Sequence, residues 1–308
     1  MAFNFYFASM TDNNMIPYFC ENGYNLLYSN VNDRNTIPKA LNIGMKGNFF
    51  LDSGAHSAHT KGKEVDVDDY INFINTHDKD ITCFVQVDKI PGQYLKPKTQ
   101  KEMEEAPELS WENYLYMRDK VNSPDKLIPV FHQGEDFKWL KNMCNTTFDG
   151  KHIPYIGLSP RGDVGLEYKY DFCAKCFAVI ESSKNPTVKT HAFGMTSLEL
   201  LEKLPFYSAD STTYLHVAAY GQVWTPYGKI GVSEENKKHP TAPTVYWFLD
   251  DKEKKVLDEY FESIDTNIDE LRKHHIPRTI ANAKFCRNWA ENYEYKGLKS
   301  FVSSKPLF

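Results

Sequence analysis

The chain has 308 residues, 41% of them apolar and 25% charged, with a formal net charge of −5. This composition excludes a disordered or collagen-like chain, and no apolar stretch approaches the roughly 20 residues of a bilayer-spanning helix. The acidic balance argues weakly against nucleic acid as a partner. Six scattered cysteines, Cys20, Cys83, Cys144, Cys173, Cys176 and Cys286, suit a reducing compartment better than a disulfide framework. With no basic n-region at the start, the expectation is a cytoplasmic protein without a membrane anchor.

Taken in chain order, residues 1–8 read as a first strand. Six further apolar runs then stop at polar or glycine-containing tips: Phe49-Phe50-Leu51-Asp52-Ser53-Gly54, Cys83-Phe84-Val85-Gln86-Val87-Asp88, Ile128-Pro129-Val130-Phe131-His132-Gln133-Gly134, Tyr155-Ile156-Gly157-Leu158-Ser159-Pro160, His191-Ala192-Phe193-Gly194-Met195 and Tyr207-Ser208-Ala209-Asp210-Ser211. Apolar runs without alternation are strands buried on both faces. Between them, helical spacing predicts helices over 65–77, 107–121, 136–144, 166–182 and 197–204, the last N-capped by Ser197 and closed by Pro205. Residues 89–106, rich in Lys, Glu and Pro, read as a loop over the mouth of the fold. Residues 221–232 read as a β-hairpin turning near Pro226 to Gly228, and 250–274 and 279–292 as long helices. No repeat and no linker stands out, so the chain reads as a single domain over 1–308. The βα alternation predicts an α/β fold, a (β/α)8 TIM-like barrel with insertions and a helical C-terminus. Its polar strand tips converge where barrel active sites sit.

Two of the tips are carboxylates, Asp52 and Asp210. One carboxylate can attack a sugar C1′ and form a glycosyl-enzyme while the other moves protons to and from the leaving and entering groups. The alternative for a single strand-end aspartate is a cap or turn; two on converging strands weigh toward chemistry. Asp88 and Gln133 suit the edge of a purine-like base, one accepting and the other offering both donor and acceptor. Gly157 and Leu158 would add backbone contacts. The alternative for Gln133 is a structural side chain at a strand end.

In this order these residues resemble the guanine transglycosylases, the queuine and archaeosine tRNA-ribosyltransferase-like enzymes that exchange guanine for a 7-deazaguanine. Asp52-Ser53-Gly54 is similar to the family's general-base motif Asp-Ser-Gly-Gly, with Ala55 replacing the second glycine. Asp88 resembles the second base-binding aspartate, Gln133-Gly134 the base-reading Gln-Gly and Gly157-Leu158 the Gly-Leu pair. Phe193-Gly194 falls where an apolar residue and glycine line the base pocket, and Asp210 matches the nucleophile. Gly221-Gln222, Thr225, Gly228 and Ile230 stay in register. The match covers residues 48–232.

The resemblance implies base exchange through a covalent intermediate at Asp210, with Asp52 handling protons. It places the base against Ser53, Asp88, Gln133, Gly157, Leu158 and Phe193, and needs no cofactor. The family zinc subdomain has no counterpart: only Cys286 follows Asp210, and Cys173-x-x-Cys176, in a predicted helix, reads as buried thiols. The stretch 216–220 lacks the arginines of the tRNA-binding members. The chain therefore most resembles the phage-type branch that modifies DNA, which would place it in the host cytoplasm. The expected partners are DNA, with tRNA as the alternative, and a 7-deazaguanine of the preQ0/preQ1 type.

A basic segment supports a polynucleotide partner. Arg272, Lys273, Arg278, Lys284, Arg287, Lys296, Lys299 and Lys305, interleaved with Phe285, Trp289, Tyr293, Tyr295 and Phe301, could hold phosphates and stack bases; the alternative is a solvated helix. The rival functions are a retaining glycoside hydrolase with the same carboxylates and an inactive nucleic-acid-binding barrel.

Overall fold

The computed structural model describes residues 3–195, 197–295 and 297. Packing divides the chain into two compact units, one of residues 3–210 with 294, 295 and 297, the other of 211–293.

The first unit is built on a nine-stranded, all-parallel, barrel-like sheet. Its strands are β1 (Asn4–Ala8), β2 (Leu26–Ser29), β3 (Phe49–Asp52), β4 (Cys83–Val85), β5 (Leu127–Ile128), β6 (Val130–His132), β9 (Tyr155–Ser159), β10 (Lys189–Ala192) and β11 (Ser208–Ser211), with β7 (Thr147–Phe148) and β8 (Lys151–His152) forming a small separate hairpin. The order is β5-β4-β3-β2-β1-β11-β10-β9-β6. The two ends of that order are consecutive in sequence. β5 pairs with β4 and β6 pairs with β9, and only Pro129 stands between β5 and β6. Proline has no N–H to give to a ladder, so one extended run reads as two short strands. The sheet thus returns on itself, as a TIM-like barrel requires.

Helices follow the strands: Ile16–Glu21, Ile37–Ile43, Ala55–Thr60 and Val67–Thr76, Gln100–Lys120, Phe137–Asn145, Leu166–Glu181 and Leu198–Glu202. Local chemistry starts several of them. Asp66, Asp136 and Ser197 each accept a backbone N–H of the first turn through the side chain, meeting donors that would otherwise be orphaned.

The interior follows from alternation. Tyr6, Ala8, Leu27, Phe50, Cys83, Val85, Ile128, Val130 and Tyr155 form one buried cluster, with Phe193 and Tyr207 against it. The residues one step further along the same faces are Ser29, Asp52, His132 and, above Gly157, Ser159. The inner wall therefore changes from apolar to polar toward the C-terminal strand ends. The opposite faces pack outward, as Phe7 does against Phe19 and Tyr24.

Three expectations need correction. β2 and its helix Ile37–Ile43 add a βα unit to the predicted set, because Leu26-Leu27-Tyr28 is too short an apolar run to stand out. Residues 100–106 are not loop. Thr99 and Glu102 form a capping box that starts the helix at Gln100, and Pro107 lies inside it. The helix expected over 250–274 is two, Asp251–Ser263 and Ile268–Leu271, broken where Asp265 takes φ 56°. The other predicted helices and the hairpin stand within a few residues of their expected ends. All six cysteines are buried and unpaired.

The second unit holds Thr213–Ala219, the antiparallel pair β12 (Gln222–Thr225) and β13 (Gly228–Gly231), the parallel β14 (Thr244–Val245), Glu234–Lys238 and the three later helices, the last being His275–Glu291. Its core is Val223, Ile230, Val232, Tyr246, Leu257, Phe261, Leu271 and Ala281. Most of the basic residues have local partners. Arg272 pairs with Glu234 and Asp269, Lys284 with Asp265, and Arg287 with Glu291. Buried Arg278 donates to the carbonyls of Ala218 and Leu271. Lys296, Phe301, Lys299 and Lys305 lie outside the described residues. Among the described residues, no helix is long and apolar enough to cross a membrane.

Candidate active site

Three corners of the barrel mouth carry the predicted chemistry. The first is the end of β3. Gly54 takes φ +78°, and a Cβ there would lie 2.6 Å from Val31 Cγ2 and 2.8 Å from Ser29 Oγ. Glycine is thus required both for the left-handed turn and for the close approach. The turn points the Gly54 N–H back at Asp52 Oδ2, 2.9 Å away. Burial pushes the Asp52 carboxyl up to about 7; the Gly54 N–H opposes the rise, and the charges of Asp88, Asp210 and Asp33 add to it. An acid of that strength is half-protonated near neutrality, which a group that both gives and takes a proton needs. Ser53 beside it is buried.

The second corner joins the loop after β4 to the end of β6. Asp88 Oδ1 accepts from Gln86 Nε2 at 2.6 Å, and Asp88 Oδ2 faces His132 Nε2 at 3.4 Å. The other side of the imidazole meets Glu135 Oε1 at 3.1 Å, and Glu135 Oε2 accepts the His132 backbone N–H at 3.1 Å. Burial opposes charge on His132, but the charge and hydrogen bond of Asp88, followed by those of Glu135, carry its pKa well above the usual histidine value. His132 is therefore a cation between two carboxylates. The buried Gln86 Oε1 has no partner among the described residues. A cleft of about 530 Å³ opens beside this corner, lined by Val87, Asp88, Lys89, Ala106 and Leu109. It reaches Asp88 but neither Asp52 nor Asp210, so this cleft meets the carboxylates only at Asp88.

The third corner is β10 and β11. Their register sets His191 beside Ser208 and, on the other side, beside Gly157 of β9. His191 Nε2 lies 3.2 Å from Asp210 Oδ1, and the Gly194 N–H donates to the same oxygen at 2.9 Å. His191 Nδ1 lies 2.5 Å from Ser208 Oγ, which also bonds the Tyr155 hydroxyl.

The predicted base-binding residues divide. Asp88 stands at the mouth with Asp52 and Asp210. Gln133 has its amide engaged locally: Oε1 accepts the Arg161 N–H at 2.9 Å and Nε2 reaches Tyr168 O at 3.4 Å. The Gly157 N–H donates to Pro129 O at 2.8 Å, and Leu158 O accepts the Phe193 N–H at 3.0 Å, so these two backbone groups serve the sheet. The Leu158 side chain is buried. Gly157 has a packing reason as well, since a Cβ there would lie 2.4 Å from Phe193 Cε2. That ring in turn packs on His191 and Phe50, with centroids 4.5 and 5.9 Å apart.

Sequence reading gave no role to His191, Ser208, Tyr155, His132, Glu135 or Gln86. A signal was present. Counting back by two from Asp210, Phe193 and Gly157 gives Ser208, His191 and Tyr155, polar groups on the same inward faces. Among the described residues no cluster of three or more His, Cys, Asp or Glu side chains could hold a metal ion. No protein-family model matches the chain, and no curated protein matches its sequence.

Proposed function

We propose that the chain is a guanine transglycosylase acting on a polynucleotide, DNA before tRNA. Asp210 is the nucleophile, and a flipped-out guanosine presents C1′ to it. The Asp210–C1′ bond forms as the C1′–N9 bond breaks, and the electron pair leaves with guanine, which takes a proton from Asp52. An incoming 7-deazaguanine gives its proton to Asp52 and attacks C1′, releasing Asp210. Asp88 receives N–H groups of the base, and the Phe193 ring offers an apolar wall.

The observation that carries this reading is the pair at the mouth: an Asp52 carboxyl near 7, poised to cycle its proton, and an Asp210 carboxylate held from one side only. The ordered motifs from Asp52 to Asp210 support the base as purine-like. DNA is favoured over tRNA by the missing zinc ligands and by the missing arginines at 216–220.

The test is incubation with a labelled 7-deazaguanine and either duplex DNA or tRNA, followed by nucleoside mass analysis and denaturing gels for a covalent adduct. Label should enter DNA, and Asp210→Ala should abolish both label and adduct. Exchange surviving in that variant removes Asp210 as nucleophile; an adduct on tRNA alone replaces DNA by tRNA.

A further inference from the structure

The two oxygens of Asp210 have unlike surroundings. Oδ1 takes the Gly194 N–H and faces His191 Nε2, whereas Oδ2 accepts no hydrogen bond from any described residue. Behind His191 the contacts continue through Ser208 to Tyr155, and all four side chains lie in buried residues. The His191 ring is wedged between Phe50 and Phe193, each with its centroid 4.5 Å away.

One placement of protons satisfies the whole chain. Ser208 is the single hydrogen-bond partner of the Tyr155 hydroxyl among the described residues, so the phenol O–H donates to Ser208 Oγ. Burial, with nearby Cys83 and Tyr6, holds the Tyr155 pKa well above its usual value, and the phenol keeps that proton. Ser208 is left with its own proton to give to His191 Nδ1. An imidazole that accepts at Nδ1 carries its proton on Nε2, aimed at Asp210 Oδ1. This tautomer is assigned from the network of partners.

Given the displacement proposed for Asp210, we infer that His191 is the positioning residue of the nucleophile: it fixes the carboxylate through Oδ1 so that Oδ2 alone faces C1′, while Ser208 and Tyr155 set its tautomer and ring angle. In the first step Oδ2 bonds to C1′ and Oδ1 becomes the ester carbonyl, still facing both N–H groups. In the second step the Oδ2–C1′ bond breaks, its electron pair returns to the carboxylate, and the His191 and Gly194 N–H groups receive the charge. His191 therefore assists departure as well as attack.

The experiment uses the full chain, a guanosine-containing oligonucleotide and free 7-deazaguanine. In the ligand-free protein, nitrogen-15 spectra of labelled histidine should show His191 with a bare Nδ1 and a protonated Nε2, and Ser208→Ala should disturb that tautomer. His191→Leu should form and release the adduct about 10- to 100-fold more slowly, the ordinary worth of a hydrogen bond to a charged group, with KM for the oligonucleotide unchanged. His191→Gln, which keeps an N–H at similar reach, should recover most of the loss. A proton on Nδ1 overturns the proposal, as do wild-type adduct rates in His191→Leu. Should His191→Leu not fold, wild-type rates and an unchanged tautomer in Ser208→Ala overturn it equally. A wild-type chain that forms no adduct on any oligonucleotide overturns the transglycosylase reading instead, and the spectra still judge the hydrogen-bond chain.

Discussion

Two corners of the same barrel mouth hold a carboxylate against a histidine, yet by opposite means. At Asp88 the imidazole lies between two carboxylates and is cationic, and the second oxygen of Asp88 is taken by Gln86. At Asp210 the imidazole lies between one carboxylate and a serine, and one carboxylate oxygen stays free. The residue types are alike, but the number of acids around the histidine differs. Asp88 is thereby paired at both oxygens and fixed, suited to holding a ligand, whereas Asp210 retains a free oxygen, suited to attack. The partners around each histidine, not the identity of the aspartate, separate the two corners.

That contrast can be broken most sharply by paired substitutions to asparagine. Asp210→Asn should lower the exchange rate by about 10⁴-fold or more, the usual cost of removing a nucleophile, whereas Asp88→Asn should mainly raise KM for the free base. Steady-state kinetics on both variants decides, and equal kcat losses would erase the distinction.

Next in size is the Asp52 profile. If Asp52 delivers its proton to guanine as proposed, the rate of guanine release should fall about tenfold per unit above pH 7, and Asp52→Asn should give a flat, low profile. Stability follows the same sign. The folded carboxyl is raised from its ordinary value, so its favourable contribution is complete below about pH 4 and is lost as pH rises through about 7. Asp52→Asn should therefore raise the melting temperature at pH 8 and change it little at pH 4.

A third measurement concerns the charged corner. His132→Leu leaves Asp88 and Glu135 unopposed and should destabilise the fold by about 1–2 kcal/mol at neutral pH, the figure for a broken buried pair discounted for partial exposure. His132 has a raised pKa, so its contribution is complete below about 6.5 and fades as pH climbs past the raised value. Denaturant titrations should show the variant's deficit shrinking at alkaline pH.

The smallest effect belongs to Gln133→Ala. If the amide only ties Arg161 and Tyr168, the loss should be about 1 kcal/mol of stability with KM unchanged; a large rise in KM would instead show that the amide turns to the base when ligand binds.

Much of this was legible in the chain because parallel strands are buried on both faces and therefore read as unbroken apolar runs. Asp52, Asp88 and Asp210 stand at the tips of such runs. The rest was hidden for physical reasons. Leu26-Leu27-Tyr28 is too brief a run to announce β2. Pro107 masks a helix whose start is written in Thr99 and Glu102 instead. Tyr155, His191 and Ser208 sit within apolar runs, where a polar letter looks like noise until its neighbours across the ladder are known. The partnering of Gln133 depends on a carbonyl in the first turn of the helix Leu166–Glu181 and on the N–H of Arg161 before it, which no spacing rule records.

Pro129 has a consequence for motion. At the seam where the ring of strands meets itself, a two-residue strand holds one neighbour and a three-residue strand holds the other, and the residue between them offers a carbonyl but no amide proton. Fewer cross-links join the wall there than along β2 and β3, so opening fluctuations should begin at that seam. Amide hydrogen exchange should be fastest, within the sheet, at Ile128 and Val130. The corner that holds His132 and Asp88 is thus mounted beside that seam.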